Sequence, residues 1–222
     1  MYVPTTLAQP AAAPVAPILI SASATPPFVA PAPTSLSVLR SEINVLEGHA
    51  ASVTGKLLVD PRSTNSRPVG LPGQVVKLQA LGNHGWRTLA RTLTSRQGRY
   101  RMRYMPREVT SQQVRLRFTG DAEDFGARRR LGRLNVYRLA QASWYGGGGE
   151  LACGGELTST TMGVANKTLP CGTLVTLRYD GRTVRVPVID RGPYVAGREF
   201  DLTQATKQAL GFGDLGEVWS TP

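Results

Sequence analysis

Thr173-Leu-Val-Thr-Leu-Arg-Tyr179 and Arg182-Thr-Val-Arg-Val-Pro-Val-Ile189 flank the dipeptide Asp180-Gly181, and Asp190-Arg-Gly-Pro-Tyr194 follows at once. Two β-branched runs joined by Asp-Gly predict a hairpin, because both central positions of a type I′ turn need positive φ, which Asp and Gly tolerate. Downstream, Thr203 is placed to cap a helix: good helix formers fill Gln204 to Leu210, and Gly211 ends the run where a left-handed residue is wanted. Asp201, just before it, is read as a further structural cap. Upstream, the composition changes at Gln141, with four consecutive glycines from Gly146 to Gly149 and dense Thr. Residues 141–222 therefore predict a compact β-barrel with one short helix. The glycine run lacks the strand, helix and lysine of a phosphate loop and is read as a flexible rim.

On the N-terminal side, residues 36–140 break into short alternating segments. Val76, Leu78 and Ala80 share one face, with Lys77 and Gln79 between them, and Trp86 to Thr94 carries Leu89 and Leu93. Arg99 to Tyr104 reads Arg-Tyr-Arg-Met-Arg-Tyr, Val114 to Phe118 reads Val-Arg-Leu-Arg-Phe, and Arg133 to Leu139 supplies a last strand. With Pro72-Gly73 and Gln97-Gly98 as punctuation, strands at a spacing of roughly ten residues predict an Ig-like or transthyretin-like β-sandwich. If the two arginine-bearing strands pair as a hairpin, Arg99, Arg101, Arg103, Arg115 and Arg117 form one exposed face, with Arg128-Arg129-Arg130 in a nearby loop. That face is open to two readings: a dock for an anionic polymer, or the ordinary solvated side of a half-buried sheet.

Residues 1–35 carry no charge and are rich in Pro and Ala, the composition of an extended leader or stalk. Val15 to Ala24 ends in small residues like a secretory signal but lacks a basic segment before it, so a displaced signal and a plain Pro/Ala tail both fit. In the whole chain of 222 residues no apolar run reaches the length of about 18 needed to cross a bilayer, and no transmembrane segment is expected. The net charge of +11 is uneven: residues 141–222 hold seven Lys/Arg against eight Asp/Glu, which leaves 19 against seven in the preceding residues. Such a basic half first suggests nucleic acid, but neither interleaved exposed aromatics nor a recognition helix is visible, so no nucleic-acid partner is expected. Cys153 and Cys171 alone cannot form a four-cysteine zinc site, and His49 and His84 lie far from both; no metal is expected.

Ala142-Ser-Trp-Tyr-Gly146, Gly155-Glu156, Lys167-Thr-Leu-Pro170, Gly172-Thr173, Val188-Ile-Asp-Arg-Gly-Pro-Tyr194, Asp201-Leu-Thr203 and Leu210-Gly211 occur in an order and spacing that resembles the rare lipoprotein A family. The resemblance covers about 80 residues, essentially 141–222. It implies a six-stranded double-psi β-barrel, related in fold to expansins and barwin, and the activity of a bacterial cell-wall lytic transglycosylase with no cofactor. Carried over position by position, Asp190 is the central catalytic candidate and Glu156 its support, while Asn166 stands where the family has a histidine. An asparagine can hold a hydrogen bond there but cannot shuttle a proton near neutral pH. Asn166, Tyr145, Arg191 and Tyr194 are the expected substrate contacts. The family fold brings Cys153 and Cys171 to one groove rim. A disulfide there implies an extracytoplasmic setting; the alternatives are two inert buried thiols, or a nucleophilic cysteine, which would need a partner His although neither His49 nor His84 is in this domain.

Lytic transglycosylases resemble the substrate-assisted exception to two-carboxylate glycoside hydrolysis: the muramyl C6 hydroxyl attacks its own anomeric carbon, so one carboxyl serves as acid and then base. Asp190 is read as that group, and Glu156 either orients substrate or acts on Asp190 by like-charge repulsion. Two bland readings stand beside these, Asp190 tying down a turn and Glu156 as a surface residue. The expected function is cleavage of peptidoglycan glycan strands outside the cytoplasm. The alternative is a non-catalytic, expansin-like glycan-binding module, which Asn166 favours. The basic half is expected to hold anionic wall polymers.

Overall fold

The computed structural model describes residues 29–61 and 67–221. Val15 to Ala24, the stretch that ends like a secretory signal, lie outside the described residues. The strands and the helix all belong to the unit Pro31–Pro222.

In the first half, β1 (Thr34–Glu42), β3 (Ala51–Val59), β4 (Val69–Gly70) and β7 (Arg99–Tyr104) form one sheet, β2 (Asn44–Leu46) lying apart from it. A second sheet runs β6 (Gly85–Leu93), β5 (Val75–Gly82), β8 (Thr110–Phe118), β9 (Ala127–Tyr145), with β2 paired alongside β9. The two sheets enclose one core. Leu57, Tyr100 and Met102 meet it from the first sheet, and Val76, Leu116, Phe118 and Leu134 from the second. The alternation seen in the sequence decides these faces: Val114, Leu116 and Phe118 are buried while the arginines between them point away.

Two expectations are corrected. The strands carrying the five arginines do not form a hairpin: β7 pairs with β3, whereas β8 pairs with β5 and β9. The chain crosses from one sheet to the other between Tyr104 and Thr110, through Pro106, which has no N–H for a ladder and restricts the residue before it. Arg99, Arg101 and Arg103 therefore belong to a different sheet from Arg115 and Arg117. Nor do Arg128, Arg129 and Arg130 lie in a loop. The turn after β8 uses Gly120 at φ +86° and is finished by Gly126, so β9 begins at Ala127 and the three arginines sit in its ladder opposite Arg117, Leu116 and Arg115.

β9 is 19 residues long and belongs to both halves. Leu134 and Val136 enter the first core, whereas Ala140 and Ala142 enter a second one built around Leu177, Val186, Val188, Leu202 and Leu210. The second core fills a barrel whose strands run β15 (Phe200–Thr203), β12 (Val164–Ala165), β14 (Arg182–Asp190), β13 (Leu174–Tyr179), β16 (Leu215–Thr221) and β9. Pairing of β9 with β15 closes it at six strands. Two of its pairings are parallel, β12 with β14 and β15 with β9. The short ribbon β10 (Gly149–Glu150) and β11 (Glu156–Leu157) stands beside it.

Asp180 and Gly181 take φ of 43° and 79° in the expected hairpin. Helix α1 spans Gln204–Leu210; the Thr203 hydroxyl accepts the Thr206 N–H, and Gly211 closes the helix in the left-handed region at φ 67°. The cap is Thr203 alone: Asp201 lies within β15, where it accepts a hydrogen bond from the Ser143 hydroxyl of β9 and fastens the parallel pair that closes the barrel. Among the described residues no helix is long and apolar enough to cross a membrane.

Candidate active site

Asp190 is the last residue of β14, so its side chain stands where the barrel strand gives way to loop. One carboxylate oxygen, Oδ1, accepts the backbone N–H groups of Ala152 (2.9 Å) and Arg191 (2.8 Å). Among the described residues the other oxygen, Oδ2, accepts no backbone N–H. Tyr145, at the end of β9, stands close by. Its hydroxyl is buried and makes no hydrogen bond of ordinary geometry. Burial first, then the charge of Asp190, a hydrogen-bonding contact with its carboxylate outside ordinary geometry, and last the charge of Asp201, push its pKa above that of an ordinary tyrosine. It stays protonated, a donor beside the carboxylate.

The loop after β12 is bound to the same strand end. The Asn166 N–H donates to the Asp190 carbonyl (3.1 Å). The Asn166 side chain, 4% exposed, makes three hydrogen bonds. Nδ2 donates to the Glu199 carbonyl (3.1 Å), and Oδ1 accepts the N–H groups of Thr168 (3.0 Å) and Leu169 (2.8 Å). This is an Asx-type turn that closes the loop on itself. Arg191 completes the brace: Nη1 donates to the carbonyls of Asn166 (3.0 Å) and Leu169 (2.9 Å), and Nη2 to Cys171 Sγ (3.0 Å). Cys171 is bonded to Cys153, with Cα atoms 5.7 Å apart, and the Cys153 N–H donates to the Ile189 carbonyl (3.2 Å). The disulfide thus joins the two loops that flank the end of β14.

Glu156 is the exposed first residue of β11, opposite Glu150 of β10. It shares no hydrogen bond with Asp190, but the loop joining β10 to β11 supplies the Ala152 N–H that holds Asp190. A shallow cleft of about 300 Å³ lies between the two glutamates, lined also by Leu151, Gly154 and Gly155. Tyr194, after the cis peptide Gly192–Pro193, is 83% exposed. Trp144 donates its indole N–H to Asp214 (2.8 Å), and Lys207 Nζ lies 4.0 Å from its ring centroid. Gly147, Gly148 and Gly149 all take φ near or above +90°, conformations closed to other residues, and form the upstream rim.

The structure thus brings Asp190, Tyr145, Asn166, Arg191 and the disulfide together, leaves Glu156 on an adjoining ribbon, and points Tyr194 into solvent. Two contributors were missed in the sequence, Glu150 and the Ala152 N–H. Gly154-Gly155 between Glu150 and Glu156 was a turn signal that would have placed the two glutamates opposite each other. A larger hollow of about 380 Å³ opens on the far side of Asn166, lined by Arg138, Lys167, Arg198, Glu199 and Thr221; its one lining acid, Glu199, is paired with Arg138. Among the described residues no three His, Cys, Asp or Glu side chains gather as a metal site would require.

A closed six-stranded barrel with two parallel pairings, a strand-end carboxylate and a disulfide-tied rim defines a double-psi β-barrel with a polar groove. Residues 139–219 match the family model described as "Lytic transglycolase", and they form an RlpA-like double-psi β-barrel domain. The chain is 42% identical over 80 residues to the probable endolytic peptidoglycan transglycosylase RlpA of Aquifex aeolicus, a stretch covering 34% of this chain and 35% of that protein. It is 41% identical over 84 residues to the endolytic peptidoglycan transglycosylase RlpA of Neisseria meningitidis serogroup A, covering 36% and 35% respectively. The chain spans about a third of the length of these curated relatives. Among solved structures, Streptomyces papain inhibitor aligns at 25% identity and a TM-score of 0.31 over 39% of this chain and 94% of its own.

Proposed function

We propose that the barrel cleaves the glycan strands of peptidoglycan as a lytic transglycosylase, with Asp190 as acid and then base. The observation that carries this reading is the state of its carboxylate: Oδ1 is fixed by two backbone N–H groups, Oδ2 accepts no backbone N–H, and a protonated tyrosine hydroxyl is directed at the carboxylate, in a domain similar to RlpA transglycosylases. Protonated Asp190 gives its proton to the glycosidic oxygen as the bond from that oxygen to the muramyl anomeric carbon breaks. The carboxylate so formed takes the proton of the muramyl C6 hydroxyl as O6 bonds to the same carbon. The 1,6-anhydro ring closes, no water is consumed, and Asp190 is again protonated. Tyr145 positions Oδ2, Glu156 with Glu150 orients the sugar chain, and Tyr194 offers a ring to a glycan face. Asn166 and Arg191 act through the loop they brace. The disulfide supports an extracytoplasmic setting, and the basic residues before 141 draw the chain to an anionic wall.

Incubating purified wall glycan with the protein and weighing the soluble products tests this: anhydro-muramyl ends, one water lighter than hydrolysis products, are expected, and Asp190→Asn abolishes them. Undiminished release by that variant refutes the assignment. One observation favours a second reading, a glycan-binding module that cleaves nothing: Asn166 carries no titratable group, and its side chain is committed to the Glu199 carbonyl and the Thr168 and Leu169 N–H groups. Retention on wall glycan without soluble products would establish it.

A further inference from the structure

The sheet β6-β5-β8-β9 turns Val76, Leu78, Leu116 and Phe118 into the core, so the residues between them face outward. Strand register then sets Arg91 opposite Lys77, Lys77 opposite Arg117, and Arg117 opposite Arg128. Four cations stand in one row across four strands. With neighbouring strands about 4.8 Å apart, the row is about 14 Å long. One step along, Arg115 lies opposite Gln79 on one side and Arg130 on the other. Arg115 is held in place: its Nε donates to Gln79 Oε1 (3.0 Å), and its guanidinium lies 3.9 Å from the centroid of the Trp86 ring.

Like charges directly opposite each other destabilise a sheet, and no acid offsets them here. The ion pairs among the described residues join Arg40 to Glu42, Arg138 to Glu199 and Lys207 to Asp214. Asp121, in the turn after β8, gives its carboxylate to the N–H groups of Glu123 and Asp124 and to the Gln74 amide. Arg115, Arg117 and Arg128 line a polar cleft of about 280 Å³, together with Phe118, Thr119 and Gly126. Partial burial, then repulsion from Arg117 and Arg128, pushes the Arg115 pKa down. An anion in the cleft would remove that repulsion.

We infer that this face binds a linear, phosphate-bearing polymer of the cell envelope, laid across the strands with a phosphate among Arg115, Arg117 and Arg128. The inference rests on the reading that the chain works at the wall. Guanidinium forks suit phosphate and carboxylate alike, but three arginines lining one cleft suit the tetrahedral oxygens of a phosphate better than the two coplanar oxygens of a carboxylate. Nucleic acid fits less well, because Trp86, the one aromatic ring on this face among the described residues, already has Arg115 stacked over it and offers no bare platform to a base. Only Arg115 and Arg117 of the five arginines first grouped from the sequence belong to this surface.

The test titrates the full chain with poly(glycerol phosphate) across a salt series. For the triple variant Lys77→Gln/Arg117→Gln/Arg128→Gln, losing three phosphate contacts at a slope of about 0.7 each lowers the salt dependence by about 2 and the affinity roughly 100-fold near ~0.1 M salt. Its melting temperature should equal or exceed the parent's, since repulsion is relieved. The charge-matched variant Arg99→Gln/Arg101→Gln/Arg103→Gln, on the other sheet, should bind as the parent does. Equal losses in both variants, or none in the first, overturn the inference. So does tighter binding of polygalacturonate, or of oligothymidylate with the same number of phosphates. Asp190→Asn should bind the polymer like the parent. Cleavage of glycan without polymer binding sinks this inference and spares the catalytic reading, whereas polymer binding without cleavage does the reverse.

Discussion

Replacing Asn166 by Ala isolates the contribution of the brace beneath the site. Three hydrogen bonds are lost together: the donation to the Glu199 carbonyl and the two acceptances from Thr168 and Leu169. The side chain is buried at 4% exposure, so water replaces these partners poorly. At a net value of roughly 0.5–1.5 kcal/mol per bond, the loss comes to about 3 kcal/mol. In a folded unit of this size each kcal/mol shifts the melting temperature by about 2–4 °C, so a fall of roughly 6–12 °C is expected. Denaturant unfolding measures the free energy, and hydrogen exchange locates it: the Thr168 and Leu169 amides should lose protection before the barrel core does. Asn166→His is a graded control. A neutral imidazole has one acceptor nitrogen and one N–H, so it can serve the Glu199 carbonyl and one amide but not both amides, and it should cost about 1 kcal/mol. A loss below about 1 kcal/mol for the Ala variant, or unchanged protection at both amides, refutes the view of Asn166 as the loop's clamp.

Reducing the disulfide, or replacing Cys153 and Cys171 by Ser, opens a loop with a sequence separation of 18 and should cost about 3 kcal/mol by the chain-entropy estimate; an unchanged unfolding midpoint under reductant contradicts this. Tyr145, like Tyr100 and Tyr137, holds its proton more tightly folded than unfolded. The stability this confers is complete below the unfolded tyrosine pKa of about 10 and drains away as pH rises beyond it. Tyr145→Phe removes a buried hydroxyl whose contact with Asp190 falls outside ordinary hydrogen-bond geometry, so it should leave neutral-pH stability nearly unchanged and soften the alkaline decline; an equally steep decline refutes the burial argument. Gly163→Ala would place a Cβ 2.3 Å from Ile189 Cδ1 and 2.5 Å from its Cγ1, one residue before Asp190. It should destabilise by about 1–3 kcal/mol and lower glycan cleavage, and a variant as stable and active as the parent shows that β14 yields there freely.

What was legible in the sequence depended on how far apart the interacting residues lie. The Asp180-Gly181 turn, the Thr203 cap and the Gly211 stop are local, set by the φ each residue tolerates and by a side chain reaching a backbone N–H three residues on, and each formed where expected. Alternation was equally reliable for choosing faces, since Tyr100, Met102, Val114 and Leu116 all turned inward. Partners were another matter. A period of two says which side of a strand is apolar but nothing about its neighbour, so it leaves a hairpin of β7 with β8 open, whereas Pro106 sends the chain between them to the opposite sheet. The same limit hid the row Arg91, Lys77, Arg117 and Arg128, which exists only once three pairings are in register. β9 was cut short for a related reason. It passes from one core to another, Leu134 and Val136 to Ala140 and Ala142, with Leu139 half exposed between them, so no single amphipathic pattern spans its length.

The candidate site shows the difference between position and direction. A motif match locates Asp190, Asn166 and Arg191 near one another, and they are. It does not say where their polar atoms point. Asn166 and Arg191 point into the loop, and their donors and acceptors are matched there by backbone groups more than by anything a sugar could offer. Asp190 differs in having one oxygen fixed by backbone N–H groups and the other not, and Tyr145 in having a buried hydroxyl whose contact is with that carboxylate rather than with the loop. In the proposed mechanism it is Asp190 with Tyr145, rather than the braced Asn166 and Arg191, that meets the sugar.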